Sequence, residues 1–277
     1  MSAMKYGFVI TYGGARTVAD LAYEAEQAGW DGIFVGEAVW HNDPWVQLAA
    51  AAMRTERILL GTNVVQAPRH RPWKLASETA TLDNLSNGRV ILGMGMGVWY
   101  YGYQSFKDEI TDKKIRGELL DEMVDLLDLL YQGQQFTYNG KHNHVDLMAS
   151  DPQYYPAPPV QKPRIPLWVE GVWPRMKSMR RVLKCDGIFP VKMTADGQAA
   201  ELTPEDICEI KAYVEANRTL NTPFDLVAQG SNAGLSRAQL ADKVRPWAEA
   251  GATWWIEAPY REPEDKILAH LRQGPPR

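Results

Sequence analysis

Cysteine is almost missing from this chain: only Cys185 and Cys208 occur among 277 residues. A disulfide framework is therefore excluded, and a reducing, cytoplasmic setting is expected. Neither thiol has a histidine in its local motif, so a cysteine nucleophile is not expected. No apolar run approaches the ~20 residues of a membrane-spanning helix, and Met1 to Lys5 carries no signal-peptide pattern. Charge of one sign is also lacking. There are 30 basic and 34 acidic residues, a formal net charge of −4, with no basic stripe or polybasic tail. Neither nucleic acid nor a membrane is an expected partner. No G-x-G-x-x-G, P-loop or G-x-S-x-G motif occurs, which removes the usual signatures of dinucleotide, nucleoside-triphosphate and serine-hydrolase sites.

What the chain does have is glycine where glycine is costly. Ile91 and Leu92 lead into Gly93, Gly95 and Gly97, which alternate with Met94 and Met96. A strand loses packing and entropy at each glycine, so something must come close to the backbone there. Val98, Trp99, Tyr100, Tyr101, Gly102 and Tyr103 follow, an aromatic run where a polar loop is usual. Together they suggest the floor and wall of a pocket for a planar ligand. The alternative is a bulge in a crowded core followed by a surface aromatic cluster.

Apolar runs and helical spacings alternate along the chain. Strands are predicted at 6–10, 32–35, 58–65, 89–96, 166–170, 187–191, 225–229 and 253–257. Helices are predicted at 17–27, from Asp43-Pro44 onward, at 72–86, 114–131 and 175–183, after Thr203, after Ser236, and at 262–271. Asp43 with Pro44, and Ser236 with Gln239, are N-terminal capping signals. Eight strand–helix units in this length predict an α/β chain folded as a single (β/α)8 TIM barrel over 1–277. An insertion, 132–163, interrupts the pattern between helix 4 and strand 5, with a hairpin predicted from 136–139 and 141–145. A doubly wound open sheet is the competitor; Gly13-Gly14 follows strand one, but without the rest of a dinucleotide fingerprint.

In a barrel the site lies past the C-terminal ends of the strands. That rule gathers Tyr12, Glu37, Trp40, His41, Asn63, Gln66, His70, Gly95, Gly97, Trp99, Tyr101, Glu170, Gly171, Trp173, Lys192, Gln229, Glu257 and Tyr260. The set is rich in rings and poor in carboxylates, which suits a flat, largely apolar ligand. Glu37 with Glu170 could form an acid–base pair; either could equally pair with a nearby cation. Arg69-His70-Arg71 could meet an anion or form a solvated cluster. His142 and His144 have a zinc-like spacing, but an exposed hairpin is the preferred reading. A metal-dependent barrel hydrolase would need zinc ligands at strand ends.

Four stretches resemble the luciferase-like monooxygenase superfamily of flavin- or deazaflavin-dependent barrels. They are 22–32, 43–62, 71–97 with its Arg71-Pro72-Trp73 and Asn87-Gly88-Arg89 punctuation, and 158–168. The resemblance implies an oxidoreductase of monooxygenase type acting on a small organic substrate with FMN, or, alternatively, hydride transfer with coenzyme F420. A flavin-binding barrel without turnover is a further alternative. It implies a ring lying near Asn63, Val64, Gly95 and Gly97, with a non-proline cis peptide at Asn63–Val64. It also implies a phosphate tail held at Gly171 and Val172 with Arg175 adding charge, and Arg69, Arg71, Lys192 and Arg261 near a longer acidic tail. Trp40, Trp99, Tyr101 and Trp173 are the candidates for stacking on ring or substrate, and 98–107 with the insertion for a lid. A separate flavin reductase and a homodimer are the implied partners. Two departures stand out. Deazaflavin-using relatives often carry Asp-His after strand two, where this chain has Glu37-Ala38. The sugar-phosphate dehydrogenase branch has an acid after the third glycine, where this chain has Val98. Glu37 and His41 are the catalytic candidates that remain, His41 because an imidazole titrates near neutrality.

Overall fold

A computed structural model describes residues 4–97, 105–106, 110–147, 158–232 and 234–277. Eight parallel strands close into a ring: β1 Lys5–Ile10, β2 Gly32–Val35, β3 Leu59–Thr62, β4 Val90–Gly95, β5 Leu167–Trp173, β6 Gly187–Met193, β7 Asp225–Gly230 and β8 Trp254–Glu257. β1 pairs with both β2 and β8, which closes the barrel. Helices α1 Ala15–Ala28, α2 Pro44–Ala52, α3 Pro72–Leu85, α4 Lys113–Gln132, α5 Met176–Val182, α6 Pro204–Asn217, α7 Arg237–Ala250 and α8 Glu264–Gln273 follow the strands in turn. The (β/α)8 expectation is met. Among the described residues, no helix is long and apolar enough to cross a membrane.

Local chemistry sets the helix ends. The Asp43 carboxylate accepts the Val46 N–H at 3.0 Å and Pro44 opens α2. Thr203 with Asp206, and Ser236 with Gln239, form reciprocal capping boxes for α6 and α7. α3 ends before Asn87 and Gly88, both in the left-handed region at φ 56° and 80°.

Two apolar layers result. The outer one lies between strands and helices, with Ile33, Leu60, Leu92, Leu127 and Ile210 fully buried. The inner one fills the barrel with Val9, Phe34, Trp168, Phe189, Trp254 and Ile256. Size is matched across neighbouring strands. Trp168 on β5 stands opposite Gly93 on β4 and Gly187 on β6, and Phe34 on β2 stands opposite Gly61 on β3. A Cβ on Gly61 would come within 2.3 Å of the Phe34 ring, and one on Gly187 within 2.5 Å of Trp168. Phe34 stacks on Trp168 at 5.8 Å between centroids, and Trp168 meets Trp254 edge-on at 5.3 Å.

Three local departures from the sequence expectation have physical causes. The third strand, expected to run unbroken to Val65, stops at Thr62 and resumes as Val65–Gln66 after a cis Asn63–Val64 bond. β5 runs past Glu170 to Trp173 because Gly171, Val172 and Trp173 find ladder partners in Pro190, Val191 and Lys192. The hairpin's second strand is His144–Leu147 rather than 141–145. Glu122 on α4 causes that shift: its carboxylate accepts the N–H groups of Lys141, His142 and Asn143 at 2.6, 3.0 and 2.8 Å, which makes those residues a turn. His142 faces Glu118 at 2.8 Å, and His144 is exposed.

Candidate functional site

A cavity of about 370 Å³ opens at the C-terminal ends of the strands. Val9, Ile10 and Val64 give it apolar surface; Glu37, Asn63, Gln66, Glu170 and Gln229 give it polar surface; Tyr12, His41, Tyr260 and the backbone at Gly36 and Gly97 add to the lining. The volume is at the small end for ligand pockets, enough for one flat ring system.

The break in the third strand builds one wall. Ladder pairing between β3 and β4 ends at Gly61 and Ile91. Thr62 then substitutes a side chain for the ladder, its hydroxyl donating to the Gly93 carbonyl at 2.8 Å and accepting the Gly93 N–H at 2.9 Å. The Thr62 carbonyl would lie 2.0 Å from a Cβ at Gly93, so that glycine is required by main-chain approach. Beyond the cis bond, Val65 and Gln66 pair with Met94 and Gly95. Asn63 reaches across the barrel from β3 and donates its side-chain N–H to Gln229 on β7 at 3.1 Å.

The two carboxyls of the lining sit in contrasting surroundings. Glu37 Oε1 lies 2.9 Å from His70 Nε2, and Oε2 accepts the Gln66 N–H at 2.7 Å. Burial by itself raises this carboxyl, but the hydrogen bond and charge of His70 and the Gln66 N–H outweigh it and hold Glu37 below the usual carboxylate range. The Gln66 side chain in turn donates to the Glu37 carbonyl at 3.1 Å. Its other amide atom, Oε1, is buried without a hydrogen-bond partner in a side chain only 1% exposed. Glu170 lies against β4, where a Cβ on Gly95 would come within 2.0 Å of its Oε2. Burial pushes this carboxyl up to about 7, opposed weakly by the charge of Arg181.

The fold thus brings Glu37, His41, Asn63, Val64 and Gly97 together around one cavity. Gly95 faces the Glu170 carboxyl, so the space its missing side chain leaves is filled by protein. Gly171 is inside β5, where a Cβ would strike Ile188 and Val182, and the Val172 N–H is taken by the Ser178 hydroxyl at 3.0 Å. Arg175 is the exposed N-cap of α5, with a guanidinium nitrogen 3.3 Å from where a Gly197 Cβ would stand. Lys192 is paired with Asp206 at 2.8 Å. Trp173 donates its indole N–H to Glu209 at 3.1 Å and packs edge-on against Tyr213, on α6 rather than in the lining. Trp40 is 96% exposed. Trp99, Tyr101 and most of the expected 98–107 lid lie outside the described residues. The roles of His70 and Gln66 were not apparent in the sequence: the strand-end rule gathered both, but nothing local joined either to Glu37.

The luciferase-like monooxygenase family model matches residues 4–231. An F420-dependent glucose-6-phosphate dehydrogenase of Beutenbergia cavernae is 34% identical over 254 residues, covering 84% of this chain and 69% of that protein. The oxygenase component of a flavin-dependent trigonelline monooxygenase of Acinetobacter baylyi is 32% identical over 155 residues. That match takes in 54% of this chain but only 41% of the relative. Among solved structures, an F420-dependent secondary alcohol dehydrogenase with an F420–acetone adduct superposes with a TM-score of 0.74 at 14% identity, covering 99% of each chain. The FMN complex of the oxygenating constituent of 3,6-diketocamphane monooxygenase from Pseudomonas putida gives 0.66 at 16%, covering 96% of this chain and 83% of that one. At such identities the likeness is one of fold. The matched sequence and the closed barrel agree: the chain belongs to the luciferase-like monooxygenase family, whose flavin- and F420-dependent oxidoreductases are its relatives.

Proposed function

We propose that the barrel mouth holds the ring of FMN and that the protein is a flavin-dependent oxidoreductase of monooxygenase type, acting on a small organic substrate. The observation that carries this reading is the buried, unpartnered Oε1 of Gln66, a residue of the cavity wall. A buried acceptor without a donor is costly, and flavin and deazaflavin rings both offer an imide N–H of the kind it lacks. Bare backbone at Gly36 and Gly97 and the side chains of Val9, Ile10 and Val64 suit the face of a flat ring. The bound ring would supply the redox chemistry, and the protein its orientation. In this reading Glu37 and His70 fix the Gln66 backbone, the Asn63–Gln229 bridge closes the floor, and His41 faces the substrate from the rim. A separate reductase delivering reduced flavin fits a relative named as an oxygenase component.

Hydride transfer with F420 is the second reading, supported by the relative that covers 84% of the chain. Equilibrium titration with FMN and with F420, followed by ring absorbance and fluorescence, tests both. FMN is expected to bind, and Gln66→Leu to weaken it about tenfold, the cost of one lost buried hydrogen bond. Binding of F420 alone installs the second reading, and binding of neither overturns both.

A further inference from the structure

Of the two carboxyls that line the mouth among the described residues, Glu37 has both oxygens engaged, whereas no hydrogen bond ties Glu170 to a described residue. Its place depends on Gly95, since a Cβ there would stand 2.0 Å from Oε2 and 2.6 Å from Cδ. The side chain is therefore accommodated deliberately, against β4 and beside Val64, with its head in the cavity. Arg181, whose charge acts on it from α5, is already bound to Asp121 at 2.6 Å and to the Gly117 carbonyl at 3.0 Å.

We propose that Glu170 meets the bound ring as a neutral carboxylic acid, donating its O–H to a ring carbonyl oxygen or imine nitrogen, so that binding takes up one proton wherever the carboxyl starts ionised. This rests on the mouth being a cofactor pocket. Oxidised FMN and F420 rings present several acceptors and a single imide N–H, and Gln66 already answers the N–H. A carboxylate beside those acceptors repels them; a carboxylic acid satisfies one. Burial lifts Glu170 to about 7, so the acid form is present at neutrality. Among the described residues, the other titratable groups lining the mouth are Glu37 after β2, His41 before α2, Tyr12 after β1 and Tyr260 after β8, and Arg181 on α5 acts on Glu170 by its charge. Glu37 is held low and Tyr12 is raised by burial, so neither changes charge near neutrality. His41 is the group to control for.

The test is the dissociation constant of oxidised FMN and of oxidised F420 from about pH 7 to about pH 9, above the range where phosphate titrates. Proton uptake is read by calorimetry in two buffers of different ionisation enthalpy. Wild type is expected to lose about tenfold in affinity per pH unit at the alkaline end and to take up about one proton there. Glu170→Gln, which keeps the shape and a donor, is expected to bind with a flat profile and no uptake, and His41→Asn to keep the wild-type slope. A flat wild-type profile without proton uptake overturns the inference whatever the variants do. A slope that survives in Glu170→Gln, or vanishes in His41→Asn, overturns it too, while leaving the cofactor reading in place. Failure of the wild type to bind either coenzyme defeats that reading, and the inference with it.

Discussion

The barrel's interior and its mouth use glycine to opposite ends. Inside, Gly7, Gly32, Gly61 and Gly187 make room for the rings of Phe34, Trp168 and Trp254, and the result is an apolar plug. At the mouth, Gly95 makes room for the carboxyl of Glu170, which burial lifts to about 7. The plug is not free of polar atoms: Trp168 Nε1 is buried without a partner. What separates the regions is what lies beside the buried atom. An unpaired donor sealed among rings only costs stability, whereas the unpaired Gln66 acceptor, just as buried, belongs to a residue in the wall of an open cavity. A vacancy beside a glycine therefore says little about function until the atom facing it is known.

The comparison breaks most easily at the plug. Phe34 is fully buried, faces Gly61 and stacks on Trp168. Phe34→Ala removes the ring from a site walled by glycine backbone at Gly7, Gly32 and Gly61 and by the large rings of Trp168, Phe189 and Trp254. A loss of about 3–5 kcal/mol in urea unfolding is expected. A loss below about 1 kcal/mol would mean that the interior collapses readily and is not the rigid partner of the mouth.

The mouth is sharpened by its carboxyls, which carry opposite signs. Glu170 has a folded pKa of about 7, above the carboxyl value near 4.3 of an unfolded chain. The folded state holds that proton more tightly, so the group's support is complete below about pH 4, is lost as pH rises to about 7, and is level beyond. Glu170→Gln removes this penalty. It should be more stable than wild type by about 1–3 kcal/mol at pH 8, the upper figure being reduced because the cavity is open to solvent, and equal to it near pH 4. Glu37 is shifted down, so its support is present above the unfolded value and is lost as pH falls through the folded one. Glu37→Gln should therefore destabilise at pH 7, with the deficit closing in acid. Urea midpoints of both variants against pH check the pair; shifts of the same sign at neutral pH would remove the distinction drawn here.

Most of the barrel was legible because strand and helix periodicities are local. Capping boxes at Thr203 and Ser236, and the Asn87-Gly88 stop, also act within a few residues. Misplaced boundaries came from distant partners: Glu122 capturing the 141–143 turn, and β6 extending β5 to Trp173. The site divides the same way. The strand-end rule placed Glu37, His41 and Asn63 at the cavity without knowing their neighbours, and the family resemblance added Val64. His70 meets Glu37 across 33 positions and Gln229 meets Asn63 across 166, and no pattern along one chain reports such pairs. Tryptophan was the least readable residue. Composition counts rings but does not aim them, so Trp168 and Trp254 plug the barrel, Trp173 leans on α6, and Trp40 is left in solvent.

Trp40 supplies the smallest expected effect and the finest test of where the filled region stops. It sits beside His41, which lines the cavity, yet its own side chain is 96% exposed and its φ is 57°, in the left-handed region that bulky residues avoid. Removing the ring takes away almost no packing. Trp40→Ala should change the unfolding free energy by no more than about 0.5 kcal/mol. Trp40→Gly should equal or slightly exceed wild type, because glycine adopts that φ freely. Chemical denaturation resolves both. A loss above about 1 kcal/mol in the alanine variant would show that the ring is packed, and the boundary between plug and mouth would have to be drawn further out along the rim.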